Sequence, residues 1–148
     1  MKQKIYIGSD HRGFEIKKKI IDDLEKKFNI KDCGPFVLNE KDDYPDFAKE
    51  VSLRVAKDQK SFGILICGSG IGMSICANKH IKIRAALCLD FKMAEMTRRH
   101  NNANVLCMPA SLLEKEILEI IKKFIFSDFE GGKHQKRIKK IQKYAKEF

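Results

Sequence analysis

Short apolar runs alternate with amphipathic segments along most of the chain. An unbroken apolar run such as 62–67 is typical of a strand that is buried on both faces of a sheet. Apolar residues that recur every three or four positions predict amphipathic helices between the runs. Strands are predicted at 4–7, near 30–33, and at 62–67, 85–89 and 104–108. Helices are predicted over 14–28, 47–55, 73–79, 92–101 and 112–125, with a last helix after 131–132.

This alternation of strands and helices determines the fold class. Strands that alternate with helices pair in parallel through right-handed crossovers. The 148 residues suit one domain, so a single three-layer α/β sandwich over residues 1–148 is predicted, with about five strands. In such sheets the loops after the carboxyl ends of the strands build the ligand site. Those loops are 8–13, 67–72, 90–91 and 108–111.

The charge of the chain is concentrated at one end. Lys and Arg number 30 against 20 Asp and Glu, a net charge of +10. Residues 131–148 carry seven of the basic residues and one acidic residue, so the remainder is nearly balanced. A basic C-terminal segment on a balanced domain is not the pattern of a uniformly basic nucleic-acid-binding protein.

Other features exclude further classes. No apolar run approaches the roughly 18–20 residues of a membrane span, and polar residues interrupt the first strand too early for a signal peptide. The odd cysteine count without a Cys-x-x-Cys pair supports neither a zinc site nor a disulfide framework, and indicates the reducing cytoplasm. The five cysteines are Cys33, Cys67, Cys76, Cys88 and Cys107.

A glycine-rich turn over 67–72, Cys-Gly-Ser-Gly-Ile-Gly, follows the third predicted strand. Its backbone N–H groups can hold an anion, and its cysteine can act as a nucleophile or base. A tight turn that packs around a buried cysteine is an equally good interpretation. Met73 stands where a dinucleotide-binding loop has its last glycine and where a cysteine-dependent phosphatase has its arginine, so neither site is predicted.

Three further groups combine charge with position. Asp10 and His11 follow the first strand, where they can handle a hydroxyl proton and a phosphate, although an N-cap with a solvated histidine is the favoured interpretation. His100 ends a helix, as the helix dipole favours. Lys133 and Arg137, one helical turn apart, can grip a phosphate, but they also suit a solvated face or contact with a membrane or an acidic partner.

Taken in order, these motifs resemble the ribose-5-phosphate isomerase B family, which includes the galactose-6-phosphate isomerase subunits. The resemblance covers almost the whole chain, and the order and spacing of its motifs are specific. The matching segments are Ser-Asp-His-x-Gly-Phe at 9–14, Asp-Tyr-Pro at 43–45, the turn over 64–72, Ala-Asn-Lys at 77–79, Ile-Arg-Ala at 83–85, His-Asn-x-x-Asn-Val-Leu at 100–106, and Glu-Gly-Gly-x-His-Gln-x-Arg at 130–137.

The resemblance implies a Rossmann-like fold and an aldose–ketose isomerase of sugar phosphates that needs neither a metal nor an organic cofactor. It also implies a homodimer or homotetramer whose active sites are shared between subunits, with the C-terminal helix extending to the partner. Ile138, Ile141, Ala145 and Phe148 form the apolar stripe expected to dock there. No nucleic acid or membrane is expected as a partner.

The resemblance also implies a role for each matching residue. Cys67 is the base that moves a proton between C2 and C1 through an enediolate, and Asp10 handles hydroxyl protons. His100 opens the sugar ring beside the sugar-binding Asn101. The remaining roles are an anion hole from Gly68, Ser69, Gly70, Ile71 and Gly72, phosphate binding by His11, Lys133 and Arg137, and lining of the site by Tyr44 and His134.

Three positions depart from the family pattern. Ser69 stands where many relatives have threonine and keeps the hydroxyl. Lys133 replaces a frequent arginine and loses the bidentate guanidinium. Ser111 also stands where arginine is frequent, which weakens one phosphate contact or leaves it to another residue.

Two alternatives to a ribose 5-phosphate isomerase remain open. A hexose-6-phosphate isomerase acting on allose or galactose phosphate differs in pocket size, which the sequence does not reveal. A nucleotide- or nucleic-acid-binding module has less support, because its features are limited to the glycine loop and the basic segment.

Overall fold

The computed structural model describes residues 1–146, which form a five-stranded parallel sheet with helices on both faces. The predicted three-layer α/β sandwich, Rossmann-like with five parallel strands, is confirmed. The strands are β1 (Lys4–Ser9), β2 (Asn29–Asp32), β3 (Phe62–Cys67), β4 (Ala85–Leu87) and β5 (Val105–Pro109). Their order in the sheet is β2-β1-β3-β5-β4. The helices are α1 (Phe14–Leu24), α2 (Tyr44–Lys57), α3 (Ile71–Ala77), α4 (Phe91–Asn101), α5 (Glu114–Phe126) and α6 (Lys133–Lys146), with a 3-10 turn at His11–Gly13 before α1.

The sheet buries one apolar core on each face. α1, α4 and α5 cover one face and α2 and α3 cover the other. β3 serves both cores, because Ile64 and Ile66 point into one of them and Leu65 and Cys67 into the other. This double burial explains why β3 is a continuous apolar run rather than an alternating one.

Several element boundaries differ from the prediction. β1 extends two residues beyond the predicted 4–7, because its last two residues still pair with β3. β4 ends two residues before the end of the predicted 85–89. α3 begins two residues before the predicted 73–79, because the left-handed backbone of Gly70, with φ of 76°, ends the loop immediately before it.

α6 packs against α4 of its own chain. Ile138 is buried in that contact, with 4% of its surface exposed, so the prediction that it docks on a neighbouring subunit is wrong. Ile141 and Ala145 are exposed on the same helix, and Phe148 lies outside the described residues. No helix within residues 1–146 is both long and apolar enough to cross a bilayer.

The sheet topology creates a crevice between β1 and β3. The two strands are neighbours, but the helices that follow them, α1 and α3, lie on opposite faces of the sheet. The loops that leave the carboxyl ends of β1 and β3 therefore diverge, which is where open parallel sheets bind their ligands. Asp10 follows one strand and Cys67 ends the other.

Candidate active site

Cys67 lies at the mouth of this crevice, with 5% of its surface exposed. The N–H of Gly70 donates a hydrogen bond to its Sγ over 3.1 Å, and the N–H of Ile71 donates to Ser69 Oγ over 3.2 Å. An N–H dipole directed at the sulfur stabilises negative charge there. The loop over 67–72 thus directs one backbone N–H, that of Gly70, at the thiol, and the anion hole stays a prediction.

The loop glycines also allow close contacts with the neighbouring elements. A Cβ on Gly70 would lie 2.7 Å from Leu87 Cδ1 and 2.9 Å from the carbonyl carbon of Met108. A Cβ on Gly72 would lie 2.6 Å from Cζ of Tyr44. The interpretation as a tight turn around a buried cysteine is therefore also correct, and the packing brings the ends of β3, β4 and β5 and the start of α2 together.

The other buried thiols differ from Cys67 in their surroundings. All five cysteines are free. Burial raises the pKa of Cys33 to about 11 and that of Cys88 to about 12, and it also raises the pKa of the fully buried Cys107 well above its ordinary value. These three thiols are held protonated in the core. Of the other two, Cys76 is half-buried on α3, and Cys67 lies in the loop at the crevice.

Asp10 caps the short 3-10 turn after β1. Its Oδ1 accepts hydrogen bonds from the N–H groups of Arg12, at 3.0 Å, and Gly13, at 3.2 Å. The favoured interpretation as an N-cap is confirmed. The cap also holds the buried carboxyl group at the carboxyl end of β1, next to the crevice.

His11 is bound to a residue that the sequence did not reveal. Its Nδ1 lies 2.7 Å from Asp42 Oδ1, and its backbone N–H donates to the same oxygen over 3.0 Å. These two contacts fix the ring, so the interpretation as a freely solvated histidine is wrong. Asp42 lies in an acidic loop 31 residues away, and nothing in that loop distinguishes it from its neighbours.

A second group of predicted residues surrounds the junction of α4 and α6. The rings of His100 and His134 stack with centroids 4.4 Å apart. Oε2 of Glu130 lies 3.9 Å from His100 Nε2 and 3.5 Å from His134 Nε2, while its Oε1 pairs with Arg99 at 2.5 Å. Glu130 therefore links the end of α4 to the start of α6, a role that the sequence did not reveal.

The electrostatics of this junction favour an ionised carboxylate beside a neutral imidazole. Arg99 lowers the pKa of Glu130 through its hydrogen bond and its charge. Burial lowers the pKa of His134, and the neighbouring His100 lowers it further. The ligand atoms of His100, Glu130 and His134 lie within 4.8 Å of one another. Nearly parallel rings do not direct their nitrogen lone pairs at one ion, however, so we assign no metal to them.

The two groups lie at opposite edges of the sheet. α4 starts after the carboxyl end of β4 and ends before the amino end of β5, and its 11 residues span about 16 Å. The amino-edge group consists of His100, Asn101, Lys133, His134 and Arg137. The carboxyl-edge group consists of Asp10, His11, Tyr44, Cys67, Gly68, Ser69, Gly70, Ile71 and Gly72.

The family model described as Ribose/Galactose Isomerase matches residues 5–141. The chain belongs to the ribose/galactose isomerase family. Among its relatives, the "Probable ribose-5-phosphate isomerase B" of Mycoplasma genitalium is 45% identical to it, with 99% of each chain covered. The "Ribose-5-phosphate isomerase B" of Escherichia coli is 39% identical, with 94% of each chain covered.

A solved structure extends this relationship to three dimensions. The ribose-5-phosphate isomerase B of Mycoplasma genitalium with bound ribulose-5-phosphate has a TM-score of 0.96 and 45% identity, covering 100% of this chain and 99% of the other. The predicted family is thereby confirmed, and the protein is a sugar-phosphate isomerase.

Proposed function

We propose that this isomerase interconverts ribose 5-phosphate and ribulose 5-phosphate through an enediolate, with Cys67 as the base. The observation that carries the mechanism is the thiol at the crevice mouth with the N–H of Gly70 directed at its sulfur. The whole-length similarity to proteins named ribose-5-phosphate isomerase B supports the choice of substrate.

In the forward direction the Cys67 thiolate removes the proton from C2 of the open-chain aldose. The electron pair of the C2–H bond forms a C1–C2 double bond, and the carbonyl oxygen at C1 becomes an anion. Asp10 transfers the hydroxyl proton between O2 and O1, and Cys67 returns its proton to C1 to give the ketose. Backbone N–H groups at 68–72, with the Ser69 hydroxyl, stabilise the anion where its charge develops.

The remaining predicted residues bind the substrate. His100 acts as the acid and base of ring opening, and Asn101 binds the sugar hydroxyl groups. Lys133 and Arg137 join His11 at the phosphate. Tyr44 and His134 line the site. The fixed ring of His11 supports this assignment, because Asp42 holds its Nδ1 and leaves Nε2 for another partner.

This mechanism requires a second copy of the chain. Cys67 and His100 lie at opposite edges of one sheet, so we propose a homodimer or homotetramer in which each site combines the carboxyl edge of one subunit with the amino edge of another. The single domain over residues 1–148 stays a prediction, and so does a cytoplasmic setting, which the five free thiols favour.

A hexose phosphate remains the second candidate substrate, because the matching family is described as acting on ribose or galactose. The test is to supply purified protein with ribose 5-phosphate and measure the ketopentose formed. The values of kcat/KM for ribose 5-phosphate, allose 6-phosphate and galactose 6-phosphate then identify the substrate. We expect ribose 5-phosphate to be preferred, and failure of well-folded protein to convert it contradicts the proposal.

The role of Cys67 is tested separately. Cys67→Ala removes the base, so kcat is expected to fall by about a hundredfold or more while the circular dichroism spectrum is unchanged. Cys76→Ala is the matched control, since this thiol is half-buried on α3 outside the loop. Near-normal activity of Cys67→Ala would show that Cys67 is not the base.

A further inference from the structure

Arg12 extends its side chain across the start of the Cys67 loop. A Cβ on Gly68 would lie 3.0 Å from Arg12 Cδ and 3.3 Å from Arg12 Nη1, so the arginine occupies the space that a side chain at position 68 would fill. The direction of this side chain is set by the turn after β1, where the backbone N–H of Arg12 donates to Asp10 Oδ1. Arg12 therefore spans the crevice between β1 and β3 that the proposed active site occupies.

The guanidinium of Arg12 has no protein partner within residues 1–146. Two other arginines, Arg54 and Arg99, form ion pairs with Glu50 and Glu130. Arg84 and Arg98 donate to the backbone and side chain of the loop that follows α4. Two carboxylates near the turn that holds Arg12 are already engaged, since Asp10 accepts from backbone N–H groups and Asp42 binds His11.

An unpaired cation beside a loop of backbone donors is suited to an anionic ligand. The guanidinium offers five N–H donors in a planar fork that matches two oxygens of a phosphate group. His11, the next residue in the chain, has its ring fixed by Asp42 at the same end of β1. The end of β1 therefore presents an imidazole and a guanidinium from two adjacent residues beside the crevice.

We propose that Arg12 is a substrate-binding residue that holds the phosphate group of the sugar phosphate together with His11. This inference rests on the proposed function for the identity of the substrate. In the proposed mechanism the reacting carbons lie against the Cys67 sulfur and the N–H of Gly70, so the guanidinium beside Gly68 reaches from this loop towards the phosphate held by His11. A guanidinium stays protonated and cannot take a proton from carbon, so Arg12 contributes to affinity for the substrate rather than to the proton transfer.

The test uses inorganic phosphate as a probe and the full-length oligomer. The affinity of the protein for inorganic phosphate is measured by calorimetry, and KM and kcat are measured with ribose 5-phosphate. Both measurements are made on the wild type, Arg12→Ala and Arg12→Lys. Arg12→Ala is expected to weaken phosphate binding and raise KM by about tenfold to a hundredfold, with kcat changed little. Arg12→Lys should recover part of the lost phosphate affinity, because lysine keeps the positive charge but lacks the bidentate guanidinium.

Arg54→Ala is the matched control, because this exposed arginine pairs with Glu50 near the far end of α2. It should leave phosphate affinity and KM at the wild-type values. Unchanged phosphate affinity in Arg12→Ala overturns the proposal, and so does a loss confined to kcat, which would assign Arg12 to the reacting end. Arg12-dependent phosphate binding without turnover of ribose 5-phosphate supports the phosphate contact and contradicts the proposed function alone.

Discussion

At the residue scale, the absence of a side chain at Gly72 leaves room for the side chain of Tyr44. The side chain of Tyr44 lies over Gly72 so closely that a Cβ there would come within 2.6–3.0 Å of two ring atoms and the hydroxyl oxygen. Tyr44 begins α2, whereas Gly72 belongs to α3, so the contact joins two elements at the crevice. The glycine therefore fixes where the tyrosine lies above the loop.

Gly72→Ala is expected to lower kcat/KM about tenfold by displacing the ring of Tyr44. Stability should change little, because alanine favours the helix by up to about 1 kcal/mol and offsets part of the strain. Steady-state kinetics and thermal melting measure the two effects. In a Tyr44→Ala background the same substitution should cost no further activity, and an equal loss there contradicts the ring contact.

The candidate residues could be named from the sequence, but their partners could not. The thiol, its glycines and the acid after β1 belong to contiguous motifs whose local geometry the chain determines. Asp42 contacts His11 across 31 residues, and Arg12 contacts Gly68 only after β1 and β3 pair. Such contacts depend on strand order, which the pattern of apolar positions does not encode.

At the scale of elements, the junction of α4 and α6 depends on the protonation of His134. Burial and the neighbouring His100 lower its pKa from the ordinary value of 6.5, and Lys133 and Arg137 act in the same direction while Glu130 opposes them. The unfolded chain therefore takes up this proton more readily than the folded chain does. The contribution of neutral His134 to the stability of the junction is therefore fully present above pH 6.5. It is lost as the pH falls from 6.5 towards the lowered pKa of His134 in the folded chain.

Hydrogen exchange measures this pH dependence. Protection factors of α6 amides are expected to fall between pH 7.5 and pH 5.5 relative to those of β3 and β5. His134→Gln removes the titration and should flatten the dependence. Equal relative protection of wild-type α6 at both pH values contradicts the account.

Two isoleucines of α6 should have separable effects. Ile138 is buried against its own chain, so Ile138→Ala is expected to destabilise the fold by about 2–4 kcal/mol in chemical denaturation. Ile141 has 53% of its surface exposed, and Ile141→Ala should weaken subunit association with little effect on folding. A dissociation constant unchanged in Ile141→Ala, measured by analytical ultracentrifugation, would exclude Ile141 from the proposed subunit contact.

The types of the secondary-structure elements could be predicted more reliably than the residues at which they begin and end, or the surface against which each element packs. The five strands follow from short apolar runs, and the helices from apolar spacing. The start of α3 was missed because the left-handed Gly70 ends the loop early, which spacing alone does not show. Ile138 was assigned to a partner because an apolar stripe on a basic helix does not indicate which chain it covers.

At the scale of the whole molecule, the excess positive charge gathers at the amino edge. Lys133 and Arg137 lie there with His100, and the remaining lysines of α6 are exposed. The thiol and its loop lie at the carboxyl edge of the same sheet. This separation suits a small anionic substrate bound between two subunits better than a polyanion spread along one face.

The most direct test of this shared site is complementation between two inactive variants. Cys67→Ala and His100→Ala disable opposite edges, so each protein alone should isomerise ribose 5-phosphate very slowly. In an equal mixture refolded together, half of the dimers are mixed and each has one intact site, which restores about a quarter of the wild-type activity. Mixed dimers that form, as native mass spectrometry can show, but stay as inactive as the separate variants would contradict a site built from two chains.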